Sequence, residues 1–214
     1  GYRTNQLVLS GNNTYTGETR VLAGMLVIGD GGVTGKLGTG LTTVTDGVLA
    51  FHRSDDASVA NRITGSGTGA VRHIGTGATT FTYANDYTVA TEVRAGRLIF
   101  AGATAATQAI DISAGAALEL AQAHTGFSGN AAVTYTGGGL LDKTGATLAS
   151  LNGSGGGIFA FDQGAEIRVS AAPTPTPRPK PKNSADMQNE SPPTMTEVRL
   201  SGLASSRNTV TMNS

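Results

Sequence analysis

One short unit returns along the 214 residues of this chain and restricts its fold more than any single motif does. It is an apolar run, a tight turn at a glycine, and a second apolar run. The clearest copies are Val21–Ile28 (Val-Leu-Ala-Gly-Met-Leu-Val-Ile), Val44–Phe51 (Val-Thr-Asp-Gly-Val-Leu-Ala-Phe) and Val93–Phe100 (Val-Arg-Ala-Gly-Arg-Leu-Ile-Phe). A weaker copy spans Ile112–Leu120, and degenerate ones lie at Gly69–Ile74, from Val133 through Gly137, and at Phe161–Val169. Gly24, Gly47, Gly69, Gly96, Gly115, Gly137 and Gly164 mark the units at intervals of about 23 residues, a period at which self-similarity signals a solenoid.

Short β-branched runs between turn residues read as strands, because such side chains fit a pleated, half-buried surface. A helical solenoid is set aside: the chain is rich in Thr and Gly, and no window holds apolar residues at helical spacing for long. What remains is a coil of short strands, each coil stacking on the next through parallel hydrogen bonds at about 4.8 Å per step. About seven coils make a rod roughly 34 Å long. The expected class is all-β, a parallel β-helix over residues 1–170. A single coil cannot bury its own apolar face, so stability comes from its neighbours and from end caps. The inward positions are expected to be Leu7, Leu9, Val21, Leu26, Ile28, Val44, Leu49, Phe51, Ile63, Val93, Leu98, Phe100, Ile112, Leu118, Leu120 and Val169. The polar lead-in at residues 1–6 predicts an incomplete first coil with an open strand edge.

Residues 7–28, Leu-Val-Leu-Ser-Gly-Asn-Asn-Thr-Tyr-Thr-Gly-Glu-Thr-Arg-Val-Leu-Ala-Gly-Met-Leu-Val-Ile, resemble the autotransporter-associated β-strand repeat of Gram-negative passenger domains. Residues 38–55, ending Val44-Thr-Asp-Gly-Val-Leu-Ala-Phe-His-Arg-Ser-Asp55, resemble the usual sequel, and residues 58–101 give a more eroded second pass. The likeness weakens towards residue 170 and is absent beyond it. It implies a secreted, right-handed parallel β-helix that serves as a scaffold, and it implies no reaction.

Composition agrees with a rod of stacked strands. Charged residues are 14% of the chain, below the roughly 25% of ordinary soluble domains. Lys plus Arg and Asp plus Glu are both 15, so no nucleic-acid or other polyanionic partner is implied. There is no cysteine, which excludes disulfide staples and Cys-based metal sites. No apolar run reaches the 18 or so residues of a membrane-spanning helix. The chain starts at Gly1 without a signal peptide, as expected of a piece of something longer. Residues 171–182 are an alternating proline tract, an extended polyproline II linker that cannot join a sheet. Residues 183–214 form a polar tail, read as disordered or as a strand-adding assembly arm through Val198, Leu200, Val210 and Met212, with homo-oligomerisation as its consequence.

No constellation for catalysis emerges. His52-Arg-Ser-Asp-Asp56 holds two carboxylates and an imidazole, but adjacent residues of a strand point to opposite faces, so a solvated corner is the favoured reading. Gly35-Lys36 is followed by Leu37 and no helix, so the phosphate-loop pattern fails and a turn is expected. His73 and His124 have no partners at metal-ligand spacing and are expected at the surface or core edge. Ser154 lacks the context of a nucleophile. Tyr15, Tyr83, Tyr87 and Tyr135 are read as exposed tyrosines, ladder or rim residues in the plain reading and a surface contact, a sugar-binding platform, in the sharper one. The sequence therefore predicts no cofactor, no metal and no enzyme. It predicts an extracellular structural or adhesive scaffold at a bacterial outer-membrane surface, with a protein or carbohydrate ligand or self-association. The alternative is a bacteriophage virion component, and the lesser one is a β-helix carbohydrate-active enzyme.

Overall fold

The computed structural model describes residues 5–102, 106–107, 109–121, 131–142, 147–154, 157–161, 166–169, 198–201 and 208–212, with side chains through residue 139. The described residues contain strands and no helix, wound into a β-solenoid with three strand-bearing faces. The first face stacks β1 (Gln6–Leu9), β3 (Met25–Ile28), β5 (Val48–Phe51), β8 (Ala70–His73), β10 (Ala90–Val93), β12 (Ala109–Ile112) and β14 (Ala131–Thr136), then β16 (Thr147–Ser154) and β18 (Glu166–Val169). The second stacks β6 (Ala57–Val59), β9 (Ala78–Phe81), β11 (Arg97–Phe100), β13 (Ala117–Leu120), β15 (Gly139–Asp142) and β17 (Gly157–Phe161). The third is short: β2 (Thr19–Val21), β4 (Thr42–Val44) and β7 (Ile63–Thr64). All these pairings are parallel. From β1 to β14 the first face rises by six steps, or about 29 Å at the usual strand spacing.

Register turns the sequence periodicity into ladders of like side chains. One inward ladder on the first face runs Leu7, Leu26, Leu49, Val71, Thr91, Ile110, Val133. Its neighbour runs Leu9, Ile28, Phe51, His73, Val93, Ile112, Tyr135. From the second face Phe81, Phe100 and Leu120 complete the core. Phe81 packs edge-on against Phe51 at 5.3 Å and tilted against Phe100 at 5.6 Å between ring centres. Such stacking is the sheet analogue of cross-strand pairing and accounts for most of a solenoid's cohesion. The expected core is buried from Val21 to Leu120, with two corrections at the first coil. Leu7 is 61% exposed and Leu9 only half-buried, because β1 is the bottom of its sheet with no described coil beneath it. Among the described residues the lower edge of β1 is unpaired, as expected. The side chain of Val169 lies outside the described residues.

Outside the first face, charges are laddered too. Arg72 bonds Glu92 at 2.5 Å, Arg94 bonds both Glu92 (3.1 Å) and Asp111 (2.5 Å), and on the second face Arg97 reaches Glu119 at 3.1 Å. Arg72–Glu92, Arg94–Asp111 and Arg97–Glu119 each tie one coil to the next, while Arg94–Glu92 lies within one coil and joins the first two pairs into a chain.

The repeated unit does not occupy one place in the coil. In its first two copies the turn joins the third face to the first, from β2 to β3 and from β4 to β5. In Val93–Phe100 and Ile112–Leu120 it joins the first face to the second, from β10 to β11 and from β12 to β13. What the unit encodes is a corner. Gly24 and Gly96 both take the left-handed backbone (φ +71 and +52). At each of them a Cβ would come within 2.6 Å of a carbonyl of the neighbouring coil. Glycine is required on both grounds.

At the far end, β19 (Val198–Ser201) pairs antiparallel with β18, and β20 (Asn208–Met212) antiparallel with β17. Val198 and Leu200, and Val210 and Met212, therefore lie on strands that pair within the chain itself. The proline tract at 171–182 lies outside the described residues.

Candidate functional site

The tyrosines divide. Tyr15 and Tyr83, the latter 51% exposed, lie on the outside as expected. Tyr87 and Tyr135 do not, and the expectation of exposure is corrected for both. Tyr87 is fully buried at 0% exposure, and its hydroxyl meets Thr91 Oγ1 at 2.9 Å. Thr91 donates on to Thr107 Oγ1 (3.1 Å), which donates to Val89 O (3.0 Å). Burial pushes the Tyr87 phenol well above its ordinary range, and the phenol is held neutral. Tyr135 sits in register above Ile112, at the end of the inward ladder. The signal was available: Tyr135 is two residues after Val133, and Tyr87 two before Val89, so each shares a face with a core residue in an extended segment.

The charged corner at residues 52–56 is a staple. Arg53 forms a bidentate pair with Asp55 (2.8 and 2.7 Å) and donates to Gly35 O (3.1 Å) and Val33 O (2.6 Å) of the coil below. The guanidinium hydrogen bonds hold the Asp55 carboxyl below its ordinary range. Asp56 turns the other way and accepts from Ala78 N at 3.0 Å. The carboxylates diverge to separate partners, so no acid–base pair forms. Among the described residues no three metal-ligating side chains converge.

His73 is corrected from surface or core edge to interior. It is buried within the ladder between Phe51 and Val93. Its Nε2 meets Gly77 O at 3.1 Å, so that nitrogen carries the proton, and Nδ1 has no hydrogen-bond partner among the described residues. Burial, opposed by the Gly77 carbonyl, lowers its pKa. His124 lies outside the described residues. Gly35-Lys36 is a bend in the second face: Gly35 has φ +116, and Lys36 bridges backbone to Asn12 of the coil below. The backbone of Ser154 ends β16, and its side chain lies outside the described ones.

Two further surface features stand out, the first at the expected unpaired edge of β1 and the second not anticipated. One is the open lower end, a depression of about 770 Å³ whose lining includes Leu7, Leu9, Tyr15, Val21 and Leu26. The other is a break in the second face. β6 bonds β9 above it and has no strand below it, because residues 33–37, Val-Thr-Gly-Lys-Leu, form no strand. Side chains replace the missing ladder at its two ends: Arg53 reaches Val33 O and Gly35 O, and Asn61 Nδ2 reaches Gly38 O (2.7 Å) and Gly40 O (2.8 Å). Between these staples lies a cavity of about 210 Å³. Asn and Asp do the same elsewhere, as where Asn85 Oδ1 accepts from Ile63 N at 2.7 Å.

A family model described as the passenger-associated-transport-repeat matches residues 4–28 and 74–100. The first copy ends in β3 on the first face, and the second ends in β11 on the second, which is the shift of corner described above. A curated relative, the "Adhesin BmaC autotransporter" of Brucella suis biovar 1 (strain 1330), is 52% identical over 60 residues. That stretch is 28% of this chain and 2% of the relative, so the chain spans a small fraction of that protein's length. No solved structure matches.

Proposed function

We propose that this chain, which carries two passenger-associated transport repeats, is a non-catalytic structural and adhesive segment of an autotransporter passenger, displayed outside the outer membrane. The observation that carries the reading is the 52% identity to part of a protein named as an autotransporter adhesin. The physical chemistry supports it. The rod's interior is filled with apolar ladders, its outer charges are paired coil to coil, and its carboxylates diverge where catalysis needs convergence. Adhesion is then the work of the outer surface, including exposed Tyr15 and Tyr83, towards a protein or carbohydrate surface.

The test is display. The chain is fused to a translocating barrel on a Gram-negative cell and compared with the barrel alone. The expected result is cleavage by added protease on intact cells and increased attachment to host-cell or matrix layers. A chain that reaches the surface yet leaves attachment at the level of the bare barrel would overturn the adhesive reading. The virion alternative has no observation in its favour.

A further inference from the structure

The break in the second face is bounded in a way that defines what it can hold. In a parallel strand, successive residues direct their N–H and C=O to opposite sides. Val59 O accepts Thr82 N on the β9 side, so the backbone groups of Ser58 face the gap. Opposite them, Lys36 bonds downward through Gly11 O and Asn13 N, so the backbone groups of Leu37 face the gap from below. A strand would satisfy both edges, but the Arg53 and Asn61 staples close the slot at its ends and exclude a through-going chain. The occupant must be compact.

The lining sets its chemistry. Leu37, Phe51 and Val59 form an apolar floor. Thr79, 2% exposed, lines the same cavity, and its hydroxyl has no hydrogen-bond partner among the described residues. Asp56 uses one carboxylate oxygen on Ala78 N, and nothing described bonds the other. Lys36 and Ser58, both exposed, belong to the same lining, and their side chains are also unpartnered among the described residues. Of the two cations in the lining, Arg53 is neutralised by Asp55, Lys36 is balanced by Asp56, and the remaining polar groups are neutral donors and acceptors. That set suits a polyhydroxylated ring with one C–H face: Asp56 accepts from hydroxyls, Lys36 donates, Ser58 and Thr79 do either, and the floor takes the apolar face.

We propose that this side-wall cavity binds a single pyranose unit, the terminal sugar of a glycan. The inference deepens the adhesive reading by naming a ligand class. Its test uses the purified 214-residue chain, so it can fail while surface adhesion stands. Saturation-transfer NMR is run with the methyl glycosides of glucose, galactose, mannose and fucose, and with alanine as a compact zwitterion. A ligand of about twelve non-hydrogen atoms at ordinary efficiency is expected to bind with Kd on the order of 1 mM. Thr79→Val, which keeps shape and removes the hydroxyl, should weaken that binding at least about tenfold at unchanged melting temperature, as should exposed Ser58→Ala. Thr80→Ala, facing outward on the same strand, should leave it unchanged. Absence of transfer to every glycoside at about 50 mM (some fiftyfold above that Kd), binding that survives both Thr79→Val and Ser58→Ala, or equal competition by alanine would each overturn the proposal.

Discussion

Leu98→Ala and Leu7→Ala test whether the ladders hold this rod together. Both leucines stand at inward positions of four-residue apolar strands. Leu98 is 0% exposed, with Thr79 and Leu118 in register on either side, whereas Leu7 is 61% exposed with only Leu26 on it. Truncating Leu98 removes roughly three methyl-sized groups from full burial, about 2.4 kcal/mol at about 0.8 kcal/mol each. A cavity term adds to this, because parallel backbone bonds hold the coils on both sides apart and the site collapses poorly. The sum is about 3 to 4 kcal/mol, within the roughly 2 to 5 kcal/mol typical of buried leucines. At about 2 to 4 °C per kcal/mol for a domain of this size, the melting temperature should fall by about 6 to 16 °C. Leu7→Ala should cost under about 0.5 kcal/mol, as a surface change does. Urea unfolding followed by circular dichroism measures both, provided the transition is cooperative with an unchanged slope. Equal costs at the two positions would refute the ladder account.

Other outcomes follow from individual contacts. Gly96→Ala places a Cβ within 2.4 Å of the carbonyls of Gly75 and Gly77 on a left-handed backbone, whereas at Gly115, also left-handed, a Cβ meets nothing within 4 Å. Thermal melts should show Gly96→Ala costing well over the roughly 1 kcal/mol expected of Gly115→Ala. His73 has a folded pKa below its unfolded 6.5, so the unfolded chain binds more protons. Stability present above pH 6.5 should fall as pH drops through that value until the folded imidazole also protonates, and chemical denaturation from pH 8 to 5 should show the fall shrink in His73→Leu. Tyr87→Phe removes one bond from a buried hydroxyl network in which Thr91 still donates to Thr107. Its cost should be about 1 kcal/mol by urea melts, with no change in surface binding.

Much of the fold was legible because it is local and repetitive. Leu26, Leu49, Leu98 and Leu118 could be placed inward from spacing alone, since strand alternation needs no tertiary information. The buried tyrosines and His73 were missed for one reason: polarity was read as exposure, although each stands two residues from an apolar neighbour on the same face. The side-wall cavity was not legible at all. Its lining comes from Ile28, residues 35–37, Phe51, Arg53, residues 56–59, Asn61 and Thr79, which nothing in the sequence ties together. Whether Arg53 finds Val33 O depends on how many residues each coil spends in its turns.

The sequence by itself determined that the chain turns corners between short strands, and that those strands stack in parallel. Glycine at a left-handed position flanked by β-branched runs permits little else. Which faces a given corner joins was decided only in three dimensions. The same unit carries β2 into β3 in the first coil and β10 into β11 further on, because corner geometry depends on a few neighbouring residues, while its phase depends on the summed lengths of every segment before it. The break below β6 arises in the same way. The glycine-rich loop Gly35-Lys36-Leu37-Gly38 supplies no strand where the stacking of neighbouring coils calls for one, and Arg53 and Asn61 bridge the interval with their side chains.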